Sequence, residues 1–521
     1  KKYYLLTENT DYLLTKEDKE KIKYRSLDLE AVYNLKFSRL NEEIKKYSLK
    51  ERIIIHTYYL MTSGYYYDTK IIKNDVSDNL CMQVLEYNIT GLTCDYLYER
   101  KNLYNIIPSI IGSTGSIRKE DYAYYKEKGY LNDTIVGVSG IESYYEDILH
   151  GTRNKYILKD DNSLEIYESG KKGQDIILNL DLDLEEKLID IQKRNMLKVK
   201  KLRNTDYFDT NYSIISDPNT GEILAISGLK IENDSFRDVS SNIMLTSYTA
   251  GSVIKGASNT VGYLNNVIEK GKKIKDGCVK IHHVPKKCSF KDLGYLDDIT
   301  ALKQSSNYYQ FMNAIKLTGN TYKYNMDLPV SIRDFNKYRD VFAMFGLGSS
   351  TGIDFPKENT GIKGKSISSD LYLNLAIGQY DTYSPLQILN YINTIARDGV
   401  RYKLSLAKRD VEILNQVPLD SDSFKRIKEG FYQVVNGGTA NNYVAKKYQA
   451  AGKTGTAQSY YDKDITTINT TFAVFMPKDN PKYSLVIMNP NISIENAKVK
   501  YNAPLSRLIS KEITNYLFAN T

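Results

Sequence analysis

Ala451-Gly452-Lys453-Thr454-Gly455-Thr456-Ala457-Gln458 reads as a short strand-like edge that carries a lysine, small residues and hydroxyls. Such an edge can hold a carboxylate and an oxyanion together. Upstream, Gly251-Ser252-Val253-Ile254-Lys255 sets a serine and a lysine one helical turn apart, and Ser305-Ser306-Asn307 lies between the two as a second polar cluster. In that order the three segments are the equipment of a lysine-assisted serine acyl transfer.

Neither of the two upstream motifs is informative alone. Serine three before lysine recurs at Ser116/Lys119, Ser169/Lys172 and Ser405/Lys408, and a second serine-x-asparagine stands at Ser240/Asn242. The Lys-Thr-Gly triplet occurs once. Order and spacing carry the rest: Ser305 follows Ser252 by 53 residues and Lys453 follows Ser305 by 148.

Each residue type suits a distinct task. Gly251 lets the chain turn sharply into a helix, whose N-terminal dipole at Ser252 favours an oxyanion, so Ser252 is the expected nucleophile. Its structural alternative is a helix N-cap. Lys255, one turn on, can return over the same face toward the serine hydroxyl. Burial and the like charge of Lys453 would lower its pKa and make it a base. Asn307 has both a donor and an acceptor with which to hold Lys255 and a substrate amide, and Ser305 can relay a proton to a leaving amine. Both stand where a loop enters a helix expected over 308–317. Thr454, Gly455 and Thr456 form the expected binding edge for a terminal carboxylate.

Here the chain resembles the penicillin-binding transpeptidases, within them the monofunctional class B enzymes of elongation or sporulation type. Further landmarks fall in the family's order: Gly137-Val138-Ser139-Gly140-Ile141-Glu142 with Leu149-His150-Gly151, Asp217-Pro218-Asn219-Thr220-Gly221-Glu222-Ile223-Leu224-Ala225, Gly348 to Asp354, and Ala376-Ile377-Gly378-Gln379. The resemblance implies an α+β multidomain fold. An elongated α+β pedestal, the dimerisation-type domain, would occupy 1–174, and a transpeptidase domain with an antiparallel sheet flanked by helices 175–521. It also implies an oxyanion hole from the backbone N–H groups of Ser252 and Thr456, and peptidoglycan D,D-transpeptidase activity on stem peptides with acylation by beta-lactams. The rivals are a beta-lactam receptor, a weakly catalytic scaffold or a beta-lactamase. With no second catalytic motif for sugar polymerisation, a separate membrane glycosyltransferase of the elongation, division or sporulation machinery is the implied partner. Two departures stand out: Thr249-Ala250 before Gly251 where a proline is usual, and Tyr380 after Gln379 where a glycine is usual.

Composition agrees with a large folded chain. At 521 residues and 41% hydrophobic it can bury more than one core. The net charge of +8 comes from 71 basic and 63 acidic residues interleaved along the chain, which argues against a dedicated nucleic-acid face. No apolar run reaches the ~20 residues of a membrane span. Family members begin with a membrane helix, so the expected location is the extracytoplasmic face of the cell membrane, anchored by a segment before Lys1.

Periodicity predicts a strand at Asp175–Leu180, a helix at about 183–198, a hairpin of 212–216 with 222–226, strands at 471–475 and 484–488, and a closing helix at 504–518. One cluster remains. Cys278, His282, His283 and Cys288 lie within eleven residues and suit a structural Zn2+ not required for the chemistry, with Asp276, Asp297 or the second histidine as fourth ligand. The alternative is a disulfide across a hairpin, which leaves the histidines without a role. Cys81 and Cys94 read as buried residues or as a pair of their own.

Overall fold

The structure, a computed structural model, describes residues 10–24, 26–63, 69–96, 98–102, 106–131, 134–161, 164–233, 235–495 and 504–519. Two compact units arise from interleaved segments: residues 1–97 with 154–169, and residues 98–153 with 170–521. The smaller unit holds helices Leu29–Ile44, Leu49–Thr62 and Asp78–Glu86 and a hairpin of Lys155–Leu158 with Leu164–Glu168. Ser48 and Glu51 form a reciprocal capping box at the second helix. Cys81 and Cys94 are joined in a disulfide, which settles them as a pair.

In the larger unit α1 spans Leu182–Lys200 and leads into the hairpin β1 (Thr210–Ser216) and β2 (Ile223–Glu232), followed by β3 (Ser235–Asp238). Helix α2 (Lys255–Leu264) follows a single 3-10 turn, Gly251–Ile254. Next come α3 (Asp298–Gln304), α4 (Asn307–Leu317), α5 (Pro385–Ala396) and α6 (Ser421–Val435). The chain then returns as β4 (Ala451–Asp462), β5 (Ile465–Met476), β6 (Tyr483–Ile494) and α7 (Leu505–Ala519). These strands form one six-stranded antiparallel sheet in the order β4-β5-β6-β1-β2-β3. The C-terminal meander therefore pairs with the N-terminal hairpin, and β4 stays at an edge.

Both faces of the sheet are covered, and the alternation of side chains shows it. Ile214, Ala473, Phe475, Val486 and Met488 pack into the cluster that contains α2, α4 and α5. Their neighbours Ile215, Phe472, Val474, Leu485 and Ile487 pack with α1 and α7. A sheet buried on both sides needs continuous apolar runs, as Phe472-Ala473-Val474-Phe475 supplies. On α7 the stripe Leu505, Ile509, Ile513 and Leu517 is buried, as its spacing predicts. Every residue of α5 is buried, so the helix runs through the core.

The predicted strand at Asp175–Leu180 is corrected: only Leu178 forms a bridge, to Ala407. The side-chain amide of Asn179 donates to the carbonyls of Ser405 and Ala407, so this segment lies on a loop instead of extending a ladder.

Candidate active site

Gly251 opens the nucleophile turn with φ +61°. A Cβ there would fall 2.4 Å from the carbonyl oxygen of Thr456, and one at Gly455 would fall 2.2 Å from that of Ala250. Glycine at both positions lets the turn press against β4, backbone to backbone. From the core side, Tyr391 of α5 donates its hydroxyl to the carbonyl of Val253 (2.9 Å) and accepts from the N–H of Gly256 (3.2 Å). Ser252 is thus held between a sheet edge and a buried helix, with its side chain partly open to solvent.

Lys255 and Lys453 are both fully buried. Lys255 donates from Nζ to Asn307 Oδ1 (2.7 Å) and to the carbonyl of Ser305 (2.8 Å), with Ser305 Oγ at 3.5 Å. Lys453 donates to Ser305 Oγ (2.9 Å) and to the Thr454 carbonyl (2.9 Å). The expected return of Lys255 to the Ser252 hydroxyl is replaced by this clasp on Ser305 and Asn307. Burial pushes the Lys255 amine well below its ordinary value, the charge of Lys453 pushes it further, and Asp276 pulls it back. Burial alone lowers Lys453 to about 7. Two ammonium groups in one dry site would repel, so the arrangement favours at least one neutral amine near neutrality.

Ser305 is the left-handed cap that ends α3 (φ +57°), and Ser306 caps α4 by accepting from the N–H of Tyr309 (3.0 Å). This corner turns Ser305 and Asn307 toward the lysines. Asp276, buried, holds the corner from behind: its Oδ1 accepts from the hydroxyls of Ser306 (2.7 Å) and Ser289 (2.9 Å). Sequence reading treats Asp276 only as a spare metal ligand and gives Ser306 no task. On the open side, Thr454 shares a hydroxyl contact with Thr439 at 2.9 Å. Gln458 sends its N–H off the sheet to Gln379. By the same two-residue alternation Thr456 points its N–H and C=O away from β5, toward the nucleophile turn. Hydrogen bonds thus join Lys255, Ser305, Asn307 and Lys453, and the Ser252 turn packs against the edge strand at Thr456.

The metal expectation is corrected. Cys278 and Cys288 face each other across a two-residue ladder and form a disulfide, so neither sulfur is a thiolate able to bind zinc. His282 Nδ1 instead lies 2.8 Å from Asp327 Oδ1, and the His283 ring lies against that of His282 with centroids 3.8 Å apart at a tilt of 33°. Asp297 is taken by the capping box of α3. Among the described residues no group of three or more His, Cys, Asp or Glu side chains could hold a metal ion. The donor set does not fit zinc.

Comparison with known proteins agrees with this geometry. The family described as Penicillin binding protein transpeptidase domain matches residues 212–513, and that described as Penicillin-binding Protein dimerisation domain matches residues 3–178. Penicillin-binding protein 2A of Bacillus subtilis is 32% identical over 94% of this chain and 75% of its own length. Penicillin-binding protein H of the same organism is 31% identical over 78% of this chain and 61% of its own. Among solved structures, penicillin-binding protein 2B of Streptococcus pneumoniae superposes with a TM-score of 0.80 at 25% identity, covering 97% of this chain and 88% of that one. With both family models matched in sequence along it, the chain belongs to the class B penicillin-binding protein transpeptidases.

Proposed function

We infer that this protein is a peptidoglycan D,D-transpeptidase that works through a serine acyl-enzyme and is a target of beta-lactams. The observation that carries the reading is the buried pair of lysines converging on Ser305 beside the Ser252 turn. Ser252 Oγ attacks the carbonyl of the penultimate D-alanine of a stem peptide. The Oγ–C bond forms as the serine proton passes to a neutral lysine amine. Negative charge on the carbonyl oxygen is met by the backbone N–H groups of Ser252 and Thr456. The C–N bond to the terminal D-alanine then breaks, and the leaving amine takes its proton by way of Ser305, which Lys453 touches. An amine of a second stem resolves the ester and forms the cross-link. Thr454 and Thr456 bind the terminal carboxylate.

On the same reading, glycan strands come from a separate membrane glycosyltransferase, and the protein works on the outer face of the cell membrane. Two disulfides support an oxidising compartment. The test is intact mass after incubation with a penicillin, beside Ser252→Ala. A lasting one-to-one adduct that is absent from the variant is expected. Rapid drug hydrolysis without an adduct would mean a beta-lactamase, and no reaction would mean a scaffold or an unusually closed cleft.

A further inference from the structure

We propose that the side chain of Gln379 is a latch on the free edge of β4, holding in the resting enzyme the backbone groups that an extended donor peptide takes when it binds. It would thereby set the preference between peptide donors and compact acyl groups. The inference rests on the transpeptidase reading and adds a specificity-determining residue to it.

Gln379 makes two contacts with β4. Its Nε2 donates to the carbonyl of Thr456 (3.4 Å), and its Oε1 accepts from the N–H of Gln458 (3.2 Å). These two groups face away from β5 because they lie two residues apart on the outer side of an edge strand. On the same outer side Thr249 Oγ1 donates to the Gln458 carbonyl (3.0 Å), and an edge strand of this kind is a template for one more strand. A donor laid antiparallel on it would pair the residue bearing the reactive carbonyl with Thr456, beside Ser252. It would set the carbonyl of the residue two positions earlier against the N–H of Gln458. A primary amide presents a donor and an acceptor side by side, so Gln379 can span the gap between those two rungs alone.

The backbone beneath Gln379 cannot make way, so the side chain must. The Gly378 carbonyl accepts from the N–H of Gly251 at 2.9 Å, and a Cβ on Gly378 would fall 2.2 Å from the Gly251 oxygen. Two residues on, Asp381 is buried in a bidentate pair with Arg339 (2.8 Å to each oxygen) and accepts from the N–H of Gly364. Thr382 and Tyr383 then pair with Thr249 and Tyr248, just before the nucleophile turn. The loop is clamped on both sides, whereas the amide's own bonds are long and reach solvent. Long, exposed bonds are cheap to exchange for a substrate's.

The test compares two thioesters as acyl donors: an N-acetyl tripeptide thioester ending in D-alanine, and a propionyl thioester with no amide to lay on the edge. In Gln379→Ala the preference for the tripeptide, as the ratio of second-order acylation rates, should rise about 3- to 10-fold, what one or two weak hydrogen bonds are worth. Gln379→Met keeps the length and drops the amide, and should give the same rise. A preference that stays or falls in both variants overturns the latch and makes Gln379 a support for the edge. A wild type inert to both thioesters and to penicillin overturns the transpeptidase reading itself, a result distinct from any change in preference.

Discussion

The Nζ of Lys453 lies 2.9 Å from the Oγ of Ser305, and the same oxygen lies 3.5 Å from the Nζ of Lys255. One hydroxyl thus stands between two buried amines, each held below its ordinary value by burial. A lysine accepts a proton only when neutral, so the sign of the pH dependence follows. Acylation by a penicillin should rise as pH climbs through about 7, the value of Lys453, and level off above it. Stopped-flow acylation rates across pH check this. Ser305→Ala should lower the rate about 100-fold while leaving Ser252 able to react. A rate that is flat with pH would mean that neither amine serves as the base.

Asp276 faces the same site from behind, and its negative charge raises the Lys255 pKa. Asp276→Asn keeps an oxygen to accept from Ser306 and Ser289 but removes the charge. With that pull gone, the Lys255 amine should lose its proton at lower pH, so a rising limb that moves acid-ward in this variant assigns the base to Lys255, and one that stays at about 7 assigns it to Lys453. A profile that falls in height without moving would assign Asp276 a purely structural part.

Much of this site is legible in the sequence because its parts sit on elements with strong local signals. The Lys453 strand has a triplet that occurs once, the strand 471–475 holds a continuous apolar run, and the closing helix has a clear period. What sequence leaves dark depends on contacts between distant segments. Helix α5 carries Gln387, Asn390 and Asn393 at helical spacing, yet all of it is buried, and these amides bond to Ser349, Tyr402 and Ser216 inside the core, where a polar stripe would ordinarily be read as a solvent face. Asp276 gathers hydroxyls from residues 13 and 30 positions away, a meeting that no local pattern encodes. The segment at Asp175–Leu180 has strand-like alternation, yet Asn179 spends its amide on loop carbonyls. The two histidines near Cys278 suggest a metal because spacing alone cannot distinguish a ligand cluster from a bridged hairpin with a histidine-bearing loop.

The Cys278–Cys288 bridge closes the hairpin that delivers Asp276 and Ser289 to the Ser306 corner. Loss of a short-loop disulfide costs about 2 to 3 kcal/mol. The double variant Cys278→Ser with Cys288→Ser should therefore melt earlier by several degrees and acylate more slowly, with Ser252 untouched. Thiol titration of the unfolded, unreduced wild type should find no free thiol, and a chelator should leave its melting temperature unchanged. Free thiols together with bound zinc would restore the metal reading.

Lys453 sets function against stability. Its folded value of about 7 lies below the 10.5 of an unperturbed lysine, so between those limits the unfolded chain binds more protons than the folded one. The sign follows from linkage: this group's penalty is full below about pH 7, shrinks as pH rises, and is gone above about 10.5. Lys453→Met replaces the buried amine with an uncharged chain of similar length. The variant should equal or exceed the wild type in melting temperature at pH 7, and the gap should narrow by pH 9. Its acylation by penicillin should fall at least about 100-fold, because Ser305 loses its nearest amine. A variant that melts well below the wild type at pH 7 would show that the bonds from Lys453 to Ser305 and Thr454 outweigh the cost of burying its charge.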